Sequence, residues 1–558
     1  MKNIKYLVGL LSATLLTGCV LPTPGPIGPT STPTSQPTST PTSEPTSEPS
    51  PMPEIDVDKI DVGNVRRDTL TGDIASSEDD LNNYFDFYEV SDFHGAVTYS
   101  ESEKTIGLPK LGDYFRRKRA ENPGGTIILS SGDMYQGSAE SNLTHGYIVN
   151  YSMNVMGFEA MTLGNHEFDW GIEWLKKLSE RSAEGFSIPF LGANVYDKAT
   201  GQILDFLKPS TIINRGDYKI GIIGTLGDGA EVSIMKSLVN SLEFKKELPI
   251  VKEEAKRLRE QEGCDIVIWS SHKDAKELAK LGISQADGIN AVFGGHSHAN
   301  FPAQDEPTTY IDGIPYLETK NFGRGISHAC VEINKETKEI VSVTGDTVVE
   351  PYRIDLGEHE EVSRICGIYN NVIDPIKHQV IGTTDYELEV TDTFTLTDYC
   401  VDTMALEAKE WAKENGNVGI VASFHNANGG VRAKIAAGNI TFGDVYKSFP
   451  FDNEICIIKA SGKKIKEYFR KSSSYGVWRD VSYTALSEFD SETDYYFTTT
   501  DFMATSDSFV FKLGEEDLIR TGVIVRDAIA ARIQREVNIH AEDYRRGDAN
   551  PQFKPLIK

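Results

Sequence analysis

Cysteine is scarce, with six in 558 residues. Cys19, Cys264, Cys330, Cys366, Cys400 and Cys456 are widely spaced, and no Cys-x-x-Cys pair occurs. With Cys19 set aside, five remain. That odd, dispersed set is not the pattern of a disulfide framework or a zinc ribbon, and most of it reads as buried apolar thiols. Positive charge is also in deficit: 56 Lys and Arg stand against 83 Asp and Glu, a net charge of −27. The deficit argues against a general binder of nucleic acid or of membrane surfaces. It excludes partners and identifies none. No internal repeat is apparent, so the chain does not read as a solenoid. What is present is enough apolar residue, 39%, for globular cores, and a length that implies two or three domains.

Residues 1–19 read as a leader. Lys2 and Lys5 form a basic start, Leu7 to Leu16 form an apolar run too short to span a bilayer, and the segment ends in Leu16, Thr17, Gly18 and Cys19. The ending resembles a bacterial lipobox, in which cleavage leaves a lipid-modified Cys19; the alternative is an ordinary secretory signal. Residues 20–82 begin with Pro/Thr/Ser/Glu repeats to about residue 53, which cannot bury a core and imply an extended tether, followed by an acidic lead-in.

The next stretch has a β-helix-β rhythm. Tyr84 to Val90 is strand-like and runs into Asp92 and His94. Leu108, Leu111, Tyr114 and Phe115 have helical spacing and continue into an exposed basic run, Arg116 to Arg119. Thr126 to Leu129 is a strand that ends near Asp133, one residue after a glycine. Ala160 to Leu163 leads into Gly164, Asn165, His166, Glu167, Phe168 and Asp169. Ile188 to Asn194 and Lys219 to Gly224 read as further strands, and Val251 to Glu262 as a helix. Asp265 to Trp269 ends in His272, and Ile289 to Phe293 ends in His296 and His298. One such His is more often a core or capping residue than a ligand. Five strand ends carrying Asp, Asn or His, converging on one sheet edge, are a different matter. Asp92, His94, Asp133, Asn165, His272, His296 and His298 suit two borderline divalent metals that share a carboxylate, an arrangement fitted to phosphoryl chemistry.

Taken in order, these motifs resemble the calcineurin-type metallophosphoesterases. The run Gly164 to Gly171 is especially similar to the family of 5′-nucleotidases and UDP-sugar hydrolases. The resemblance implies an α/β fold: an N-terminal four-layer α/β/β/α metallophosphoesterase sandwich at 83–355, a linker helix at 356–380 that Pro375 should interrupt, and a second, α+β substrate-binding domain at 381–558. It implies Asp92, His94 and His298 at one metal, Asn165, His272 and His296 at the other, and Asp133 between them. His166 and Asp169 match the family's catalytic pair, and a hydroxide bridging the metals would attack phosphorus in line. Glu167 is expected to support the turn, and Leu317 to Gly325 to be a structural loop.

The second half is a looser match. Asn426, Ala427, Asn428, Gly429, Gly430 and Arg432 resemble the family's Asn-x-Gly-Gly-x-Arg, with the family Asn falling on Ala427 between two asparagines. Arg432 suits bidentate phosphate or carboxylate binding, or a surface ion pair. Phe451 occupies the place of one base-stacking Phe and Phe502 of the other, with Asp507 in the turn that follows; two such rings would clamp any base, or could both be core aromatics. The family's Arg in the domain's first helix has no counterpart in 391–398. The function these features imply is hydrolysis of nucleotide phosphate esters with two divalent ions (Zn, Mn, Fe or Co). It would take place outside the cytoplasm on a body anchored to a bacterial membrane through its lipid alone. The rivals are 2′,3′-cyclic-nucleotide phosphodiesterase, UDP-sugar hydrolase, or a surface lipoprotein that binds without turnover.

Overall fold

The computed structural model describes residues 55–540 apart from 69–71, 304–305, 392–393, 417, 428, 474, 481 and 484. The leader with Cys19, the repeats up to residue 54, and Asn428 therefore lie outside the described residues. Among those described, no helix is long and apolar enough to cross a membrane.

Two sheets form the first domain. One is seven-stranded, in the order Ile340–Val349, Gly325–Asn334, Asn82–Val90, Thr126–Ser130, Ala160–Thr162, Phe190–Leu191, Leu207–Lys208. The other is six-stranded, in the order Thr309–Ile311, Ile314–Glu318, Ala291–Gly294, Ile266–His272, Tyr218–Leu226, Ser210–Arg215. The side-chain period of two explains how they stack. Along Asn82–Val90, Phe85 and Phe87 enter a core shared with Ile220, Ile222, Ile268 and Phe293 of the other sheet. The alternate residues Tyr88 and Val90 pack outward on Leu111, Phe115, Met153 and Tyr369 of the helices. On the far side, Val267 and Trp269 meet Val251, Ala255 and Leu258 of helix Glu247–Glu260. Both faces of each central strand are covered, so these strands read as unbroken apolar runs. The result is the expected α/β/β/α sandwich.

Four sequence expectations need correction. The polar strand ends do not lie on one sheet edge: Asn82–Val90, Thr126–Ser130 and Ala160–Thr162 belong to one sheet, Ile266–His272 and Ala291–Gly294 to the other. The sandwich brings them together. Pro375 does not interrupt its helix, which runs Glu360–Lys377. It falls in the last turn, where few intrahelical bonds remain to be lost. The strand expected at Ile188 to Asn194 shrinks to Phe190–Leu191. The lead-in is also more than a tether: Val57, Val62 and Val65 are buried in the same core as helices Tyr147–Met156 and Glu360–Lys377. As expected, four of the five described cysteines are buried and none is paired.

The second domain is built on a five-stranded sheet, Tyr475–Arg479, Ile420–Asn426, Asp494–Thr500, Glu454–Ser461, Leu518–Ile524. Helices Thr395–Glu414 and Val525–Glu536 supply one core with it, and helix Gly462–Lys471 lies in another. Strand Ile420–Asn426 is fully buried and delivers Asn426 at its end, just before the turn that carries Arg432.

Candidate active site

Seven side chains converge where strands of the two sheets end. Five of them, Asp92, His94, Asp133, His296 and His298, sit at positive φ, between 47° and 74°. Left-handed backbone at a residue with a side chain costs on the order of 1–3 kcal/mol, and it persists at functional sites where surrounding structure enforces it. Gly132, at φ 98°, explains part of the crowding: a Cβ there would collide with the backbone nitrogen of Gly164. The turn after Thr126–Ser130 and the turn after Ala160–Thr162 therefore touch backbone to backbone. Glu167 clamps them. Its Oε2 accepts from Asp133 N at 2.7 Å and Gly164 N at 2.7 Å, and its Oε1 from Met134 N at 2.8 Å. This is the turn-supporting role the sequence suggested.

The donor atoms form two groups, Asp92 with His94 and His298, and Asp133 with His272 and His296, each within 4.8 Å. Asn165 joins the second: its Oδ1 lies 3.2 Å from His272 Nε2 and 2.9 Å from His296 Nδ1. The proton positions show whether these groups fit metal ions. His94 Nδ1 faces the carbonyl of Gln136 at 2.9 Å, and His272 Nδ1 faces that of Ser131 at 2.7 Å. Each must donate there, which turns the lone pair of Nε2 inward. His94 Nε2 then meets His298 Nε2 at 3.0 Å, and His272 Nε2 meets Asp133 Oδ2 at 3.1 Å. Asp133 Oδ2 is buried with no hydrogen-bond partner among the described residues. Lone pairs facing each other in a buried site call for a cation, so the donor set fits divalent ions. Titration agrees in direction for His94 and His296. Burial, then the neighbouring His298, holds His94 well below the usual imidazole range, and burial, then His272, takes His296 down to about 4; both are in the neutral, ligating form. Burial would also lower His272, but Asp133 and Asp92 push it up to about 10, so a proton can occupy the position a cation would fill.

Sequence reasoning missed the residues that hold these ligands. The Gln136 and Ser131 carbonyls fix two imidazoles, and the Asn321 amide lies 3.0 Å from His298 Nδ1. Asn321 lies inside the stretch read as a structural loop. A backbone carbonyl carries no sequence signal at all.

Beside this centre, His166 Nδ1 lies 2.8 Å from Asp169 Oδ2. Burial lowers the imidazole, but Asp169 and Asp133 more than offset it, and its pKa sits above the ordinary value. Its other nitrogen, Nε2, is 3.3 Å from Arg432 Nη2 of the second domain. The Phe451 ring stacks on His166 at 5.6 Å and 26°, and the Arg432 guanidinium lies 5.1 Å from the Phe451 centroid. Arg432 does not form a surface ion pair: no carboxylate is in range of it among the described residues, and its accessible side chain faces a cavity of about 570 Å³.

That cavity gathers Arg432, Asn426, Phe451 and Phe502 with His166 and Asp169. Asn426 sits under the glycine turn, where any Cβ on Gly430 would collide with its Oδ1. Asp507 is the correction. It is exposed and does not line the cavity; its neighbours Ser508 and Phe509 do, because the turn directs their side chains inward instead. Phe509 packs edge-on against Phe502 at 5.5 Å, and Trp170 and Trp174 line the cavity from the first domain. The described residues of 391–398 do not line it, and Asp398 is fully buried in the start of its helix, so Arg432 is the one Lys or Arg side chain on the cavity wall among the described residues.

The calcineurin-like phosphoesterase family model matches residues 85–300, and the 5′-nucleotidase C-terminal domain model matches residues 380–501. An apyrase of Tabanus yao is 27% identical over 410 residues, covering 68% of this chain and 72% of the relative. Protein UshA of Escherichia coli (strain K12) is 24% identical over 514 residues, covering 81% and 91%. A 5′-nucleotidase precursor from Thermus thermophilus superposes with a TM-score of 0.65 at 20% identity, over 82% of this chain and 97% of that one, a likeness of fold.

Proposed function

We propose that this chain, which belongs to the 5′-nucleotidase family and so is a metal-dependent phosphoric-ester hydrolase, cleaves phosphate esters of nucleotides with two divalent ions. In this reading Asp92, His94 and His298 hold one ion, Asn165, His272 and His296 hold the other, and Asp133 serves both. Bound there, the ions would supply an acidified water and positive charge opposite the phosphoryl oxygens. Mixed imidazole and oxygen donors accept Zn, Mn, Fe or Co, and availability decides among them.

The chain's own groups do the rest. His166, held by Asp169, faces the phosphoryl group and can stabilise its charge or give a proton to the departing oxygen. Arg432 brings a fixed cation from the second domain to the same place, so the site is complete only when both domains contribute. Phe451, Phe502 and Phe509 give the nucleobase an aromatic wall. The observation that carries the reading is the 3.3 Å approach of Arg432 to His166 at the edge of two adjoining ligand groups. It joins a charge for phosphate, a proton carrier and the metal centre in one place.

The leader and the repeats support an extracytoplasmic protein anchored at Cys19 by lipid. The test of function is a panel of AMP, UDP-glucose, 2′,3′-cyclic AMP and NAD with added Mn²⁺. Hydrolysis of a nucleotide ester supports the proposal and orders the rival substrates. No turnover of any of them, with nucleotide still bound, would favour a binding lipoprotein.

A further inference from the structure

The lead-in reaches the cavity that holds Phe451 and Arg432 through one tryptophan. Val57, Val62 and Val65 seat the lead-in in the first domain's core. Burial of Val57 in the turn Val57–Lys59 fixes the adjacent Asp58 over two neighbouring helices, with its carboxylate half-exposed. Asp58 Oδ1 accepts from Tyr147 Oη at 2.8 Å and lies 3.4 Å from Arg181 Nη2, and its Oδ2 accepts from Lys177 Nζ at 3.2 Å. The lead-in also grips the linker helix Glu360–Lys377. Arg364 donates to the Val62 carbonyl at 2.9 Å, and Glu361 accepts from Arg66 N at 3.1 Å.

An exposed ion pair alone contributes little, because solvent screens it and two long side chains must be ordered. Asp58 differs in what its partners do. The Tyr147 ring stacks on Trp174 at 5.6 Å and 24°, and Lys177 Nζ lies 4.5 Å from the Trp174 ring centroid. The Arg181 guanidinium lies over the Tyr147 ring at 4.5 Å. One carboxylate thus holds two groups that pack on Trp174, and a cation that packs on one of them. Trp174 in turn donates from Nε1 to the His145 carbonyl at 2.9 Å, and its ring meets the His145 ring at 4.5 Å. Trp174, Trp170 and His145 are the first domain's aromatic contribution to the cavity wall. Trp174 lies on helix Ile172–Ser179, which starts directly after Asp169.

We infer that Asp58 is a positioning residue for the substrate: through Tyr147 and Lys177 it holds Trp174 in place, and with it the first domain's wall of the aromatic cavity. Asp58 adds no group to the cavity itself. The inference rests on the reading of that cavity as the seat of the nucleoside. Its consequence is selective. A nucleoside meets the wall, whereas inorganic phosphate, held at the metal centre, does not.

The test uses the full Mn²⁺-loaded chain, calorimetry with adenosine and with inorganic phosphate, steady-state kinetics on AMP, and a double-mutant cycle of Asp58→Ala with Trp174→Ala. Asp58→Ala should weaken adenosine and raise KM for AMP by about three- to tenfold, with kcat and phosphate affinity held within about twofold. Tyr147→Phe, which keeps the stacking ring and loses the hydroxyl, should reproduce part of that loss. In the Trp174→Ala background, Asp58→Ala should cause no further loss, since groups that act through one another are not additive. Equal losses in both backgrounds, equal losses of adenosine and phosphate, or unaltered adenosine affinity overturn the inference. Tryptophan emission of the ligand-free chain separates this inference from the reading it rests on. A wild-type chain that binds no adenosine, yet whose emission shifts with Asp58→Ala only when Trp174 is present, would keep the positioning role and overturn the nucleoside reading. Absence of that shift overturns the positioning role.

Discussion

Arg432 Nη2 and His166 Nε2 stand 3.3 Å apart although 266 residues separate them in the chain. The guanidinium is always charged, so it can only donate. With Nδ1–H committed to Asp169, His166 offers its Nε2 lone pair when neutral; when protonated, two cations face each other and require an anion between them. A phosphoryl group is such an anion. The pair is a link between the domains and, in the proposed function, a place prepared for substrate.

His166→Ala should lower kcat by about 10²–10⁴-fold, the usual range for a lost proton carrier, while both metals remain bound. Kinetics together with metal analysis of the purified variant check this. Loss of both ions would move His166 from catalysis to metal binding.

In the proposed reading Asp133, grouped with His272 and His296, is the carboxylate that serves both ions. Asp133→Ala should reduce bound metal to well under two per chain and abolish turnover, and His272→Ala should remove chiefly one ion. Elemental analysis after equilibration with Mn²⁺ and gel filtration decides. Retention of two ions by Asp133→Ala would contradict the shared role.

In the proposed reading Phe451 and Arg432 act on different parts of the substrate. Phe451→Ala should raise KM for AMP by about 5–30-fold, from the loss of roughly 1–2 kcal/mol of ring stacking, with kcat little changed. Arg432→Lys should cost more in kcat, because a single ammonium cannot reproduce the guanidinium's bidentate geometry. Steady-state kinetics on AMP separate the two. A Phe451→Ala protein with unaltered KM would place that ring in packing against His166 alone.

A second titration belongs to stability. His328 lies between Asp86 at 2.9 Å and Asp346 at 3.1 Å, and stacks on Tyr88 at 4.5 Å. Burial lowers this imidazole, but the two carboxylates overcome it and push it up to about 9 from the ordinary 6.5. A folded pKa above the unfolded one stabilises fully below about pH 6.5, and the contribution disappears as pH rises through about 9. At 23% side-chain exposure, roughly 2 kcal/mol is at stake. Urea midpoints should therefore fall between pH 6 and pH 9.5 in the wild type and much less in His328→Leu.

The candidate metal-ligating groups were legible because each is a side chain of distinctive chemistry placed just past an apolar run, a local signal. That the runs lie in two sheets was not legible, since pairing depends on contacts across the whole domain. The same limit hid Gln136, whose role comes through a backbone carbonyl, and Asn321, which serves His298 from a loop. In the second domain the signals were weaker. Asp507 occupied the right stretch of sequence, but the turn presents Ser508 and Phe509 to the cavity. Residues 55–68 look like acidic linker, yet three valines anchor them, a spacing too sparse to reveal burial.

The central claim is hydrolysis of nucleotide esters by two ions held in these seven side chains. Its most direct test is hydrolysis of AMP and UDP-glucose while metal-free protein is titrated with Mn²⁺. The account predicts activity that rises until two equivalents per chain are bound and then levels. Two equivalents bound with no hydrolysis of either compound, or full activity in metal-free protein, would contradict it.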